Sequence, residues 1–412
     1  MPKLLFVADG RSPIALNWIQ YFVDAEYEVH LASTYPCAPE LRLASLEVVP
    51  AAFSGAQPLE PGGEETGKKG RLLRRLVPVN ARTLIRQRLG PLTLNPSVQR
   101  LRALIDRVQP DLVHAMRIPY EGILAALALG DPPRLPLIVS IWGNDFTLHA
   151  RATPWLSRST RLTLRRAAAL HADCHRDLRL ACAWGFPPDR PQVVLPGGGG
   201  VQASLFHPRE PDGGREQGAG IEESEGCPTV INPRGFRAYV RNEAFFTAIP
   251  LVLDRNPEVR FLCPGMQAEP QAQRWVSSLG LAGSTSLLPR QTRPQMAELF
   301  RRAHVAVSPS THDGTPNTLL EAMACGCFPI AGDLESLREW ITPGANGLLV
   351  DPGDPRALAD AILLALAQPG LRRRARERNL GLIAERAEYT QVMHAAEAFY
   401  RTVKAYRRQL YG

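Results

Sequence analysis

Two arginines and two carboxylates in the second half of this chain have the types and spacing to hold a molecule rich in phosphates and hydroxyls. Arg234 and Arg241 lie in the run Pro233-Arg234-Gly-Phe-Arg237-Ala-Tyr-Val-Arg241-Asn242. Asp313 and Glu321 lie in Ser308-Pro-Ser-Thr-His-Asp-Gly-Thr-Pro-Asn-Thr-Leu-Leu-Glu-Ala-Met-Ala-Cys-Gly326, with seven residues between them. A guanidinium presents charged donors that fit phosphate oxygens, and each carboxylate oxygen accepts from an O–H. A bare charge at a helix start would account for Asp313 without any ligand, so its meaning depends on the elements around it.

Those elements are legible. His304–Ser308 is an apolar run of the kind buried in a parallel sheet. It is followed by a polar, glycine-containing loop and a helix, for which Thr315 fits the N-cap, Pro316 the first helical position and Gly326 the stop. A strand that ends in such a loop aims the amides of the next helix outward, where their partial positive charge holds anions. A second apolar strand follows at Cys327–Ala331, then a loop through Gly332 and Asp333 to Glu339, a strand at Asn346–Val350, and a helix from Arg356.

This segment resembles the donor half of retaining GT-B glycosyltransferases of family 4, whose signature is a Glu-x7-Glu pair before an Ala-Met-Ala-x-Gly helix. Asp313 replaces the first Glu, one methylene shorter. The resemblance implies that Arg234 and Arg241 grip the diphosphate of a nucleotide-sugar donor, Arg241-Asn242 standing where the family has Lys-Gly. It implies that Glu321 accepts from the ribose hydroxyls and Asp313 from those of the transferred sugar. Arg237, Gly314, Thr315, Pro316, Asn317 and Thr318 then line the donor, and Glu339 matches a family acid there, with a structural salt bridge as its competing reading. No DxD-like metal site is evident, so the charge on the leaving group falls to protein cations and helix ends, and neither a metal nor a cofactor is expected.

The first half alternates short apolar strands (Leu4–Ala8, Val29–Ala32, Leu112–Ala115, Leu137–Ile141, Ala168–Ala172, Val193–Leu195) with amphipathic helices, the pattern of a doubly wound parallel sheet. Asp9-Gly10-Arg11-Ser12 ends the first strand, and Gly10 is a donor-side candidate. No G-x-G-x-x-G accompanies it, which argues against a dinucleotide site. Ser140-Ile-Trp142-Gly143-Asn-Asp145 occupies the place of the family's His-Gly-x-Asp. Trp142 replaces the His, leaving Asp145 as the polar group to steady acceptor or donor. His114 and Arg117, also at a strand end, are acceptor-side candidates with Trp142; for His114 a packed core histidine is the competing reading.

The chain has 412 residues, 45% hydrophobic and 21% charged, which suits two soluble α/β domains. No apolar run is long enough to span a bilayer, the start has no signal-like pattern, and the seven cysteines lack framework spacing. A cytoplasmic protein is expected. The net charge of +8 is concentrated between residues 68 and 88, where Lys68, Lys69, Arg71, Arg74, Arg75, Arg82, Arg86 and Arg88 interleave with leucines. That segment reads either as an interfacial stretch for anionic lipid at the inner face of a membrane or as a solvated helix face. Aromatics are not interleaved with these bases, so nucleic acid is not expected.

The expected architecture is two Rossmann-like doubly wound domains with a cleft between them: residues 1–205 on the acceptor side, a flexible linker at 206–228, a nucleotide-sugar domain at 229–385, and a C-terminal helix at 386–412 returning to the first domain. The expected function is transfer of a sugar from a nucleotide sugar to a glycan or lipid-linked acceptor in surface polysaccharide or glycoconjugate synthesis. A nucleotide-sugar epimerase of the same fold and a catalytically silent scaffold are the rivals.

Overall fold

The computed structural model describes residues 2–54, 84, 86–209 and 227–411. Of the basic stretch at 68–88, only residues 84 and 86–88 fall within them, and 210–226 of the expected linker fall outside. Contacts group Met1–Gly200 with Thr390–Gly412 as one compact unit and Val201–Tyr389 as a second.

The first unit is built from β1 (Lys3–Ala8), α1 (Pro13–Asp24), β2 (Glu28–Ser33), β3 (Ser45–Val48), α2 (Leu94–Val108), β4 (Leu112–Ala115), α3 (Ile123–Leu129), β5 (Leu137–Ile141), α4 (Pro154–Arg166), β6 (Ala169–Ala172), α5 (His175–Ala183) and β7 (Gln192–Val194). The strands are all parallel, in the order β3-β2-β1-β4-β5-β6-β7. Strand alternation divides the core between two faces. Leu5 and Val7 of β1 join Leu101, Leu104 and Ile105 of α2 on one face. Phe6 turns the other way, 5.8 Å from Phe22 of α1. That helix forms because Ser12 caps it, accepting from the Ala15 amide, Pro13 opens it, and Ala15, Trp18, Ile19 and Phe22 fall on one buried stripe.

The second unit contains β8 (Thr229–Ile231), α6 (Asn242–Leu253), β9 (Arg260–Cys263), α7 (Pro270–Ser278), β10 (Thr285–Leu287), α8 (Arg293–Arg302), β11 (Val305–Ser308), α9 (Asn317–Ala324), β12 (Phe328–Gly332), β13 (Leu348–Val350), α10 (Pro355–Ala367) and α11 (Pro369–Arg386). Its strands are again parallel, ordered β10-β9-β8-β11-β12-β13. On one face Val230, Phe261, Val305 and Phe328 pack with Phe245 and Ile249 of α6 and Ile362 of α10. On the other, Ile231, Leu262, Ala306 and Ala331 pack with Phe300 of α8 and Leu320 and Met323 of α9. Each such buried side chain contributes about 1.5–3 kcal/mol by leaving water.

The C-terminal helix begins at Tyr389 and not at 386: α12 (Tyr389–Tyr411) groups with the first unit from Thr390, after α11 in the second. An irregular turn through Ile118–Gly122 precedes α3. Helix α9 starts one residue later than expected: Pro316 is its N-cap and no side chain caps it. Thr315 is not the cap because its Oγ1 accepts from Trp340 Nε1 at 2.9 Å. The stop at Gly326 is a full Schellman turn, with Gly326 at φ +91°, its N–H on Met323 O at 3.1 Å and Cys327 N–H on Ala322 O at 3.0 Å.

Candidate active site

Strand order reverses between β8 and β11 in the second sheet, so the loops leaving their carboxyl ends diverge and open a crevice, the usual ligand position in open α/β sheets. Arg234 leaves β8 and Asp313 follows β11. The Arg234 loop is pinned by two asparagines: Asn232 Oδ1 accepts from the Arg234 amide at 3.2 Å, and Asn242 Nδ2 donates to Gly235 O at 3.0 Å. Arg234 Nη2 donates to both Asp313 oxygens at 2.8 Å, and Nη1 to Thr318 Oγ1 at 3.1 Å. Arginine and aspartate are each 8% exposed, yet Arg234 Nε is buried with no partner. Asp313, expected on the transferred sugar, therefore spends both oxygens on Arg234 in this state.

Thr318 and Glu321 lie three apart on α9 and share a face. Glu321 keeps a partly accessible rim, but protein surrounds it closely and gives it no hydrogen bond. Desolvation pushes its carboxyl up to about 7, against the opposing pull of the Arg293 charge. Arg241 stands before α6. Its amide donates to Pro309 O at 2.8 Å and its neighbour Val240 bridges Ser310, which sets it beside the loop leaving β11. Its guanidinium is exposed and makes no ion pair or hydrogen bond among the described residues. Arg234 and Arg241 thus flank one loop, with Glu321 one turn along the helix that follows it.

The other donor-side candidates are spread around this crevice. Arg237 braces the loop, donating to Arg234 O at 3.3 Å and Tyr239 OH at 3.2 Å. Gly314, Thr315 and Pro316 are buried, and Asn317 and Thr318 are partly exposed at the start of α9. No side chain caps the first turn of that helix. Glu339 lies on a short turn whose carbonyl accepts from Arg386 at 2.8 Å. Sequence reasoning missed the Ser308 and Ser310 hydroxyls, which are buried without partners at the end of β11; the signal was a Ser-x-Ser at a strand end. Gly332 must be glycine, since a Cβ would sit 2.2 Å from Ser310 O.

In the first unit the structure corrects three expectations. His114 is not open to an acceptor: it is 1% exposed and occupies the middle of a hydrogen-bonded chain. Trp18 Nε1 donates to Tyr400 OH (2.9 Å), Tyr400 meets His114 Nδ1 (2.5 Å), His114 Nε2 meets Ser140 Oγ (2.8 Å), Ser140 meets His171 Nδ1 (2.8 Å), and His171 Nε2 meets Leu195 O (2.9 Å). A carbonyl only accepts, so His171 carries its proton on Nε2. Every other proton follows: Ser140 donates to His171, His114 to Ser140, Tyr400 to His114. One neutral tautomer of each histidine satisfies the whole chain. Burial lowers both, His171 to about 4.

Asp145 is likewise not presented to a substrate. It is 1% exposed, with Oδ2 accepting from the amides of Ile118 (3.1 Å) and Trp142 (3.2 Å) and Oδ1 from Arg117 Nη2 (2.8 Å). It ties together the loops after β4 and β5. Gly10 is explained by packing, because a Cβ there would lie 2.5 Å from Cys37 Sγ and 2.8 Å from Ser33 Oγ, and its amide already donates to Ser33 at 3.0 Å. Arg117 and Trp142 remain partly accessible, the guanidinium 5.4 Å from the indole centroid. One close group of possible metal ligands exists among the described residues, Asp173, Cys174 and Asp177. Within it Asp177 is ion-paired with Arg176 at 2.8 Å.

Two Rossmann-like units in tandem, each an all-parallel sheet with its reversal beside the first strand, constitute the GT-B fold. Solved structures share it over the whole length. Sucrose-phosphate synthase from Thermosynechococcus elongatus superposes with a TM-score of 0.71 at 16% identity, covering 98% of this chain and 100% of that one. Anabaena HepE in complex with UDP and glucose superposes at 0.68 with 15% identity and the same coverage. The family model "Glycosyl transferases group 1" matches residues 220–380, and "Glycosyl transferase 4-like domain" matches residues 10–198. A D-inositol 3-phosphate glycosyltransferase of Thermomonospora curvata is 28% identical over 279 residues, 64% of this chain; the match spans 59% of that relative's length. The chain belongs to the group 1 glycosyltransferases, of GT4 type.

Proposed function

We propose that this protein transfers a sugar from a nucleotide-sugar donor to an acceptor hydroxyl, with retention at the anomeric carbon, in the synthesis of a surface polysaccharide or glycoconjugate. The observation that carries the reading is the pair of unfilled groups in the crevice of the second unit: the buried, partnerless Nε of Arg234 and the carboxylate of Glu321 one turn up α9. Orphaned groups of opposite charge in one crevice match a ligand that is anionic at one point and hydroxyl-bearing at another. UDP and glucose bound to a protein of the same fold support a uridine diphosphate sugar as the donor.

Arg234, Arg241 and the amides opening α9 neutralise the diphosphate as it leaves, and Glu321 accepts from the ribose. The anomeric C–O bond to the diphosphate breaks while the bond to the acceptor oxygen forms on the same face. The acceptor proton passes to the departing phosphate oxygen, so no protein base is needed at that point. Asp313 positions Arg234. The acceptor is a glycan or a lipid-linked glycan. Protein cations supply the neutralising charge, so turnover is expected to survive EDTA. A cytoplasmic setting fits seven cysteines that are all unpaired.

The test is calorimetric titration with UDP, followed by release of UDP from UDP-glucose and related donors with and without a panel of glycan acceptors. Tight UDP binding that weakens at least about tenfold in Arg234→Lys is the expected result, since Lys cannot replace the fork. Absence of UDP binding in a folded protein, or donor conversion without transfer, overturns the reading.

A further inference from the structure

The carboxyl ends of β1, β2 and β4 in the first unit carry a cluster of cations on aromatic platforms that the donor site does not use. Tyr35 and Tyr120 are 5% and 4% exposed, so their rings are fixed. The guanidinium carbon of Arg86 lies 5.3 Å from the centroid of each, and that of Arg11 lies 3.7 Å from Tyr35. Arg117 adds a third cation, above Trp142.

These cations differ in their counter-ions. Asp9 neutralises Arg11 at 3.0 Å, and Asp145 neutralises Arg117 at 2.8 Å. Arg86 has no carboxylate within 4.0 Å among the described residues, and its Nε is buried with no partner. The nearby acid is Glu121, whose Oε1 accepts from Thr34 at 2.7 Å. Burial pushes that carboxyl toward its neutral form, against the charges of Arg117 and Arg86. A guanidinium held between two tyrosines cannot shed its proton, and a half-desolvated charge without a counter-ion is costly to maintain. Arginine's fork on a rigid aromatic platform suits a phosphate, which accepts from two N–H groups at once.

We propose that Arg86, on its Tyr35–Tyr120 platform, binds a phosphate ester carried by the acceptor. The inference rests on the transferase reading above and names the chemical class of its acceptor. The phosphate belongs either to a soluble sugar phosphate or to a lipid headgroup.

The experiment is calorimetric titration of the whole chain, held in saturating UDP, with glucose 6-phosphate and with glucose. In parallel the protein is co-sedimented with phosphatidylcholine vesicles with and without phosphatidylglycerol. Glucose 6-phosphate is expected to bind at least about tenfold more tightly than glucose. Arg86→Gln is expected to erase that difference, and Arg86→Lys to retain only part of it, since the charge survives but the fork does not. Binding confined to the phosphatidylglycerol vesicles and lost in Arg86→Gln assigns the phosphate to a lipid and also supports the proposal. Equal affinity for glucose and glucose 6-phosphate together with vesicle binding unchanged by Arg86→Gln overturns it, as does wild-type protein that binds none of the phosphate probes. The UDP titration of each variant reports separately on the donor site: UDP binding with no Arg86-dependent phosphate binding defeats this inference alone, and loss of UDP binding in wild type defeats the function reading. The wild-type discrimination between glucose and its phosphate stands as a test even if Arg86→Gln folds poorly.

Discussion

Replacing Glu321 with Gln is expected to stabilise the ligand-free protein while weakening its hold on nucleotide. Burial without a hydrogen-bond partner raises the carboxyl from 4.5 to about 7, and Arg293 offsets only part of that. The folded chain therefore binds this proton more tightly than the unfolded chain. Ionised Glu321 costs almost nothing below pH 4.5; the cost grows between 4.5 and 7 and levels off above 7 at roughly 3 kcal/mol. Gln keeps the side-chain volume and removes the ionisation. Urea denaturation of both proteins from pH 4.5 to 8.5 should show curves that nearly coincide at the acid end and separate with rising pH, the variant being more stable. In the same variant, UDP affinity should fall about 10- to 100-fold, because a hydroxyl donating to a carboxylate is exchanged for one donating to a neutral amide. A stability gap that does not change with pH, or a variant less stable at pH 8, would mean that the carboxylate is already satisfied within the fold, and the argument for a waiting site would fail.

Arg241→Ala should leave stability within about 0.5 kcal/mol, since the side chain is exposed and unpaired. It should lower sugar transfer roughly 100-fold, measured as UDP release, and an unchanged rate refutes its contact with the leaving group. Ser140→Ala removes the middle of the buried chain and strands a donor on His114 and an acceptor on His171. Thermal melting should show a loss of roughly 2–4 kcal/mol with UDP affinity unchanged, and a wild-type melting curve refutes the chain. Acid should weaken the protein through the same histidines. The unfolded chain takes protons below pH 6.5 while folded His171 resists until about 4, so stability falls as pH drops through that window, by roughly 3 kcal/mol from His171 alone. Glu321 acts in the opposite sense over the same window, so the measurement is made in Glu321→Gln, where a urea midpoint that does not move between pH 7 and 4.5 counts against it.

Strands β4 and β5 were legible to the residue because short apolar runs buried on both faces carry little ambiguity. Strand β3 was not, because Ser45–Val48 is a short, half-exposed edge with two apolar residues, Leu46 and Val48. The residue types of the donor crevice could be read from their motif, but the engagement of Arg234 by Asp313 could not. That contact joins two loops 79 residues apart, and sequence cannot say which group an arginine will choose. Thr315 shows the same limit on a smaller scale: its composition suits a cap, and Trp340 took the hydroxyl instead. His114 stayed open between an acceptor-side role and a packed core because its decisive partner, Tyr400, lies 286 residues away on α12.

Two sets of strand-end groups, one in each unit, differ in how their polar atoms are used, and that difference separates architecture from ligand binding better than residue identity does. In the first unit His114, Ser140, His171 and Asp145 are buried with their hydrogen bonds complete, and the chain through Tyr400 fastens α12 to the sheet. Such groups have nothing left to offer a substrate, so their chemistry, however suggestive in sequence, is spent on the fold. In the second unit the groups at the equivalent reversal of strand order are incomplete: Arg234 Nε lacks a partner, Ser308 and Ser310 hold idle hydroxyls, Glu321 carries a desolvated carboxyl, and Arg241 stands unpaired. A folded chain tolerates several such groups in one place only where something else completes them. In the first unit Arg86 is one of several incomplete groups, and it differs from Arg11 and Arg117 in having no carboxylate within 4.0 Å among the described residues. This is why the search for the acceptor starts there and not at the histidine that the sequence put forward.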